Sequence, residues 1–403
     1  MAGKLRAPGL LVVCEVAFGF VLLIGAGLMI RTFMGVLRVD PGFDSSHVLT
    51  FQLSLPGVRY ATPEKAVTFF WQLQKNLSAL PGVQSVGAVS HLPLADDAAN
   101  WYSYYWPEGT PKQDQNTVMA DYRGILPGYF KSLGANLVAG RDFGEFDDSL
   151  HRPVVIVDDT LARQTWPNAN AVGKRLSVEN IEKGNFQFQR EWAEVVGVVR
   201  HIQNHSLTNN VRGQVYLPYP LAVRSHMAFT VRTTGAPTTL VEPVRREVAA
   251  LDKDLPAAQI APMEDYVRQA RSETRFTTVL ASALAGAALL LACIGIYGIA
   301  ACSVVRRTSE FGIRMALGGR ASDILKLVLR QSMLPVSLGS LIGLALSLAL
   351  APLLSKLLYG VRPFDPTTLA TAFFVFCGAG LLACYLPARR ATKIDPMVAL
   401  RYE

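Results

Sequence analysis

Apolar residues along this chain fall into two regimes. Four runs are apolar almost without interruption: Gly9–Ile30, Phe276–Val305, Met333–Leu354 and Thr368–Leu386. Each reaches the ~20 residues that a helix needs to cross the hydrocarbon of a bilayer. Between the first run and the second, apolar positions recur with the shorter periods of strands and amphipathic helices.

That intervening stretch reads as an α+β domain. Val48–Leu55 alternates and is rich in β-branched and aromatic residues, which predicts a strand. Thr62-Pro63-Glu64 opens a helix, with Thr62 as the capping residue and Phe70, Leu73 and Leu77 on its buried face; Pro81-Gly82 ends it, and Val83–Ser90 returns as a strand. The plan repeats at the far end, with a strand at Met227–Arg232, a helix at Thr239–Leu251 and a strand at Ala258–Ala261. Two β-α-β units, 48–95 and 226–265, therefore bracket an insertion at 116–220, where strands are predicted at Val154–Val157, Leu176–Val178, Glu194–Val199 and Gln214–Leu217. Residues 31–40 extend the first apolar helix as a stalk until Pro41-Gly42 breaks it. Residues 262–275 form a second stalk that enters the second run with no breaker.

Charge supplies an orientation. The start of the chain, the segment 306–331 and the tail 388–403 together carry the whole net charge of +8. Loops rich in Lys and Arg stay on the cytoplasmic side, so both termini and the 306–331 loop are expected there and the large domain outside. The sequence pI of 9.3 then reflects residues beside membrane spans, not a nucleic-acid surface. All five cysteines, Cys14, Cys293, Cys302, Cys377 and Cys384, fall in the apolar runs, so the domain uses no disulfide.

The loop has an order beyond its charge. Glu310 to Leu317 is a helix stretch ended by Gly318-Gly319, and Ser322-Asp323 opens a second helix that leads into the third span. The pattern Arg307-x-x-Glu310-x-Gly312-Ile313-Arg314-x-Ala316-Leu317-Gly318 resembles ABC transporter permeases of the MacB/FtsX type. The ending Pro387-Ala388 through Ile394-Asp395-Pro396 to Ala399-Leu400-Arg401 is similar to the C-terminus of the same family, as is Tyr122-Arg123-Gly124 through Gly140-Arg141-Asp142-Phe143 to its extracytoplasmic domain. The resemblance implies four transmembrane helices, with an extracytoplasmic domain of porter-like β-α-β units plus a small α/β insertion between helices 1 and 2. It further implies a coupling helix, comprising Glu310, Phe311, Gly312, Ile313, Arg314, Met315, Ala316 and Gly318, that docks on a cytoplasmic ATPase. Val39-Asp40-Pro41-Gly42-Phe43-Asp44 is similar to a duplicated permease class found in acidobacteria, so the chain is either one half of a longer protein or a unit that dimerises.

Val172-Gly173-Lys174-Arg175 lacks the Ser or Thr of a Walker A loop, so ATP hydrolysis is expected in a partner subunit and not in this chain. No cofactor or metal site is expected: His201 and His205 are spaced i,i+4 but read as a solvated loop pair, and the doublets Asp96-Asp97, Asp147-Asp148 and Asp158-Asp159 read as surface turns. Glu15, two turns inside the first span, is expected to pair or snorkel at the interface. Pro335 should kink the third span, and Gly339-x-x-x-Gly343 should let it pack closely. The expected function is a permease subunit in an inner membrane that relays ATPase-driven motion outward, for export of a small molecule, peptide or lipoprotein, with an adaptor or outer-membrane duct as further partners. The alternative is a membrane sensor or scaffold linking an ATPase to an outer partner such as a cell-wall hydrolase.

Overall fold

The computed structural model describes residues 7–95, 101–109, 118–144, 147, 153–180, 189–208, 212–317, 320–354, 358–362 and 364–391. The chain divides into two units, with boundaries at Arg38/Val39 and Ala270/Arg271.

In the domain unit, β1 (Val48–Ser54), α2 (Pro63–Ser78) and β2 (Val83–Val89) form the first β-α-β pass. The second is β10 (His226–Thr233), α5 (Val241–Leu251) and β11 (Ala258–Pro262). The two passes interleave: the sheet order is β11-β1-β10-β2, every neighbour antiparallel, which is the split β-α-β arrangement. The alternation of β1 sends Leu49, Phe51 and Leu53 to the helix-covered face, where Phe51 stacks on its cross-strand partner Phe229 with centroids 5.1 Å apart. Phe70 of α2 drives edge-on into Tyr219 at 5.5 Å. Thr62 stands at the head of α2 as expected but caps it with backbone geometry alone, its hydroxyl making no cap hydrogen bond.

The insertion is built mostly of strands. β3 (Tyr102–Pro107), β4 (Val118–Ile125), β5 (Leu137–Gly140), β6 (Val154–Asp158), β7 (Arg175–Asn180), β8 (Gln189–Val199) and β9 (Gln214–Pro218) occupy it, with short helices α3 (Tyr129–Leu133) and α4 (Asp159–Thr165). Six of these strands run β4-β3-β7-β8-β6-β9, and β9 pairs back on β4, so the ring closes. Its interior is filled by Tyr122, Val155, Val157, Leu176, Val195 and Val215. At the junction with the first sheet, α3 lies against β2 so closely that a Cβ on Gly87 would overlap the backbone of Tyr129.

In the other unit, α1 (Ala7–Leu37), α8 (Ala321–Leu354), α9 (Pro366–Ala391) and the part of α6 (Met263–Arg306) from Arg271 onward supply four helices long and apolar enough to cross a membrane. α1 is the most enclosed: Val16, Phe20 and Ile24 meet Ile296 of α6, Val336 of α8 and Phe376 of α9 in one cluster. The outward surfaces carry exposed Phe18, Phe276, Leu290, Ile294, Phe374 and Leu382, surface that only lipid or another apolar partner solvates. One local expectation changes. α1 ends at Leu37, short of Pro41, because the chain turns at Arg38 before the proline is reached. Pro335 sits within α8, which is helical on both sides of it.

The aromatic nest around Phe70 predicts that Phe70→Ala costs roughly 3–5 kcal/mol of domain stability. A shift of the chemical-denaturation midpoint followed by tryptophan fluorescence checks it.

Candidate functional site

Between α6 and α8 lies the short helix α7 (Thr308–Ala316). Phe311 is its anchor. The ring is 1% exposed and packs with Val304 of α6, Ile324 and Val328 of α8 and Ala388 of α9. Burying one phenylalanine contributes roughly 1.5–3 kcal/mol, enough to hold a nine-residue helix that would not persist alone in water. Arg307 adds a polar tie, donating from Nη1 to Gln331 Oε1 at 3.0 Å.

With Phe311 turned inward, other side chains of α7 are left outward. Glu310 and Arg314 pair along the helix at 2.7 Å, both about half exposed, while Ile313 is 47% exposed and Leu317, in the turn just past the helix, 82%. A helical ion pair of this kind contributes only a few tenths of a kcal/mol. The result is a small apolar and charged surface on a seated helix. Gly312, Met315 and Ala316 lie within the helix, and Gly318 lies outside the described residues. Gly339 and Gly343 of α8 face α1: a Cβ at Gly339 would press on Val16, and one at Gly343 would come within 2.9 Å of the Phe20 Cβ.

Two polar features accompany the bundle. Arg31 of α1 pairs with Asp365, whose carboxylate also accepts from the Thr368 hydroxyl and backbone N–H at 2.6 and 2.8 Å. The Thr368 hydroxyl, then its N–H and Arg31, hold the Asp365 pKa far below the usual carboxylate range against the opposing effect of desolvation. Glu15 departs from expectation: its Oε2 is buried without a hydrogen-bond partner, facing Gly295 of α6 where any larger residue would meet it.

The histidines and acids of the domain also depart from expectation. His201 and His205 are not a solvated pair, since each is committed to a different carboxylate. His201 Nδ1 meets Asp158 Oδ2 at 2.5 Å, and His205 Nε2 meets Asp121 Oδ2 at 2.6 Å. Asp158 is no surface turn: it is fully buried, caps α4 through the Leu161 N–H and takes the Gln214 N–H. Asp159 accepts from the His201 N–H, and Asp147 pairs with Arg141. Asp148 and Asp96-Asp97 lie outside the described residues. Asp121 is 1% exposed, and its other oxygen accepts from Arg212 at 3.1 Å. Burial pushes the Asp121 pKa up, but the hydrogen bond and charge of His205, the charge of Arg123 and the Arg212 bond outweigh it and hold the pKa below the ordinary value. The domain also holds a cleft of about 920 Å³ on the face of the first sheet away from α2 and α5, lined by Gln52, Trp101, Arg224, His226 and Tyr266 among others, which sequence reading missed.

Residues 16–251 match the MacB-like periplasmic core domain, and residues 282–396 match the FtsX-like permease C-terminal domain. Similar curated proteins include the macrolide export ATP-binding/permease protein MacB of Salmonella paratyphi A and of Escherichia coli K12, each 30% identical over 295 residues. These alignments cover 71% of this chain and 44% of each relative, so the chain spans under half the length of those proteins. Among solved structures, the periplasmic region of MacB from Actinobacillus actinomycetemcomitans is 18% identical, covering 58% of this chain and 96% of that one, with a TM-score of 0.37. The extracellular domain of the noncanonic ABC-type transporter YknZ from Gram-positive bacteria is 16% identical, covering 51% of this chain and 93% of that one, with a TM-score of 0.32.

The carboxylate at Asp121 gives a pH test. A depressed folded-state pKa contributes stability above the unfolded value of about 3.9, and that stability is lost as pH falls through the folded pKa. Asp121→Asn should therefore destabilise the domain at pH 7 by roughly 1–3 kcal/mol. Urea titrations across pH should show the gap between variant and parent closing below about pH 4.

Proposed function

The chain belongs to the MacB-like, FtsX-like family of ABC transporter permeases, a multi-pass membrane family with a periplasmic domain, and on that premise we propose that it relays the motion of a cytoplasmic ATPase. The observation that carries the reading is α7, a helix seated by one buried phenylalanine with a free charged and apolar face. The ATPase docks on Glu310, Ile313, Arg314 and Leu317. Its ATP-driven closure pushes Phe311 against Val304, Ile324, Val328 and Ala388, so one displacement reaches the ends of three spans together. α6 is helical without interruption from Met263 to Arg306 and carries that displacement along its length.

In this reading the basic loop and both termini are cytoplasmic, and the domain is extracytoplasmic. The proteins that share the family architecture are named for macrolide export, which supports export as the direction, with the cargo handled outside the membrane. ATP hydrolysis falls to a nucleotide-binding partner, since the similarity to the relatives covers their permease part. A second permease unit completes the assembly, and a periplasmic adaptor or duct receives the cargo.

The test is ATP turnover by a candidate ATPase partner of this family, measured in lipid nanodiscs with and without this chain. The double variant Glu310→Arg, Arg314→Glu keeps an ion pair along α7 but reverses its pattern toward the partner, so the helix stays formed. Stimulation is expected to fall about fivefold or more, a coupling loss of roughly 1 kcal/mol, with membrane insertion unchanged. Unchanged stimulation would remove the docking assignment.

A further inference from the structure

The cleft of about 920 Å³ in the domain has a size suited to a small organic molecule. It exists because the two faces of the first sheet are treated differently. One is sealed by α2 and α5 over Phe51 and Phe229. The other is covered only in part: α3 takes the Thr230 and Arg232 end, where Ser132 Oγ lies 2.6 Å from Thr230 Oγ1. The end bearing Gln52 and His226 is left open and forms the cleft floor. Ala261 of β11 and Tyr266 at the start of α6 make one wall, and Trp101 and Arg224 the other.

The chemistry of that wall is specific. The Arg224 guanidinium lies over the Trp101 indole, 4.6 Å from the ring centroid. Its main chain is pinned, with the Tyr219 hydroxyl donating to the Arg224 carbonyl at 2.6 Å. Among the described residues no carboxylate pairs with it, although Asp265, the acid that lines the same cleft, is engaged by Arg268 one turn along α6. Burial lowers the Arg224 pKa, yet guanidinium stays charged. A half-buried cation that has lost water without gaining a counter-charge is an incomplete site. Across the floor, His226 Nε2 is buried with no hydrogen-bond partner, while its Nδ1 is held by Ser54 at 2.8 Å.

We propose that this cleft binds a small amphipathic organic anion, a carboxylate or phosphate monoester whose oxyanion is taken by the free edge of Arg224 and whose apolar body lies against Ala261 and Tyr266. Stacking on Trp101 leaves guanidinium N–H groups along its edge, the geometry that grips two oxygens at once. His226 supplies a second polar contact. The site goes beyond coupling, since it forms within the domain and needs neither nucleotide nor ATPase.

The probes are 1-naphthaleneacetate, 1-naphthyl phosphate, 1-naphthylmethylamine and inorganic phosphate, titrated calorimetrically onto the full chain in nucleotide-free nanodiscs. Both aromatic anions should bind saturably at concentrations below ~5 mM, and the amine at least ~10-fold more weakly. The ranking of the two anions identifies the preferred oxyanion, and inorganic phosphate binding more weakly than naphthyl phosphate would show the apolar body contributing. Arg224→Gln should weaken the anions ~10-fold or more, with Arg224→Lys intermediate. Ala261→Trp, which fills the cleft from the opposite wall, should abolish binding of both. Overturning results are no saturable anion binding, equal binding of the amine, or unchanged anion binding by folded Arg224→Gln or, should that variant not fold, by Ala261→Trp. Because nothing in this titration involves ATP, its failure leaves the coupling reading standing, and failure of coupling leaves the site standing.

Discussion

A domain inserted between two membrane spans has to return its chain to where it began, and here strand β1 meets that demand. It pairs on one side with β10 and on the other with β11, so residues that enter the domain first are hydrogen-bonded to residues that leave it last. Leu49 sits opposite Val231 and Pro262 at once. Nothing folds in this sheet until both ends of the domain are present, which makes its contacts long-range and its formation dependent on the whole insertion. In return the insertion is relieved of any duty to hold the ends together. It can build its own closed ring, with its own core around Tyr122 and Val157.

Chemistry and mechanics separate along the same line. The membrane unit uses polar groups to tie helices: Asp365 caps α9 and clasps Arg31 of α1, and α7 is seated chiefly by a ring. A seat made by one phenylalanine in an apolar socket has little directional preference. The domain instead concentrates buried carboxylates, each satisfied by a histidine from the loop after β8.

How much of this the sequence disclosed depended on the range of the interaction. The four spans, both β-α-β passes and the short loop helix follow from local periodicity and Gly-Pro punctuation, and the structure places them within a few residues. The pairings of His201 with Asp158 and of His205 with Asp121 reach across 43 and 84 residues, and no spacing rule encodes them. Read locally, Asp158-Asp159 is a polar doublet; in the fold it heads a helix beneath two strands. Ring closure of β9 on β4 and the half-bare sheet face were illegible for the same reason. They are properties of which strand neighbours which, a choice made by the assembled core. The anchor role of Phe311 was not legible: the sequence grouped it with the surface that docks on an ATPase, whereas its ring is buried in a socket made by three helices distant in sequence.

The closed ring of the insertion bears on crowding. A strand ladder with free N–H and C=O groups recruits other strands, and membrane proteins are held at high local concentration in two dimensions. In the six-stranded ring each member has a neighbour on both sides. The edge left bare on the first sheet, β11, carries Gln259 at a left-handed φ of 48° and finishes at Pro262, which has no N–H to offer. Among the described residues the edges left for another strand are thus β11 and the four-residue β5, which pairs with β8 alone, so copies packed side by side in a bilayer offer one another short templates at most.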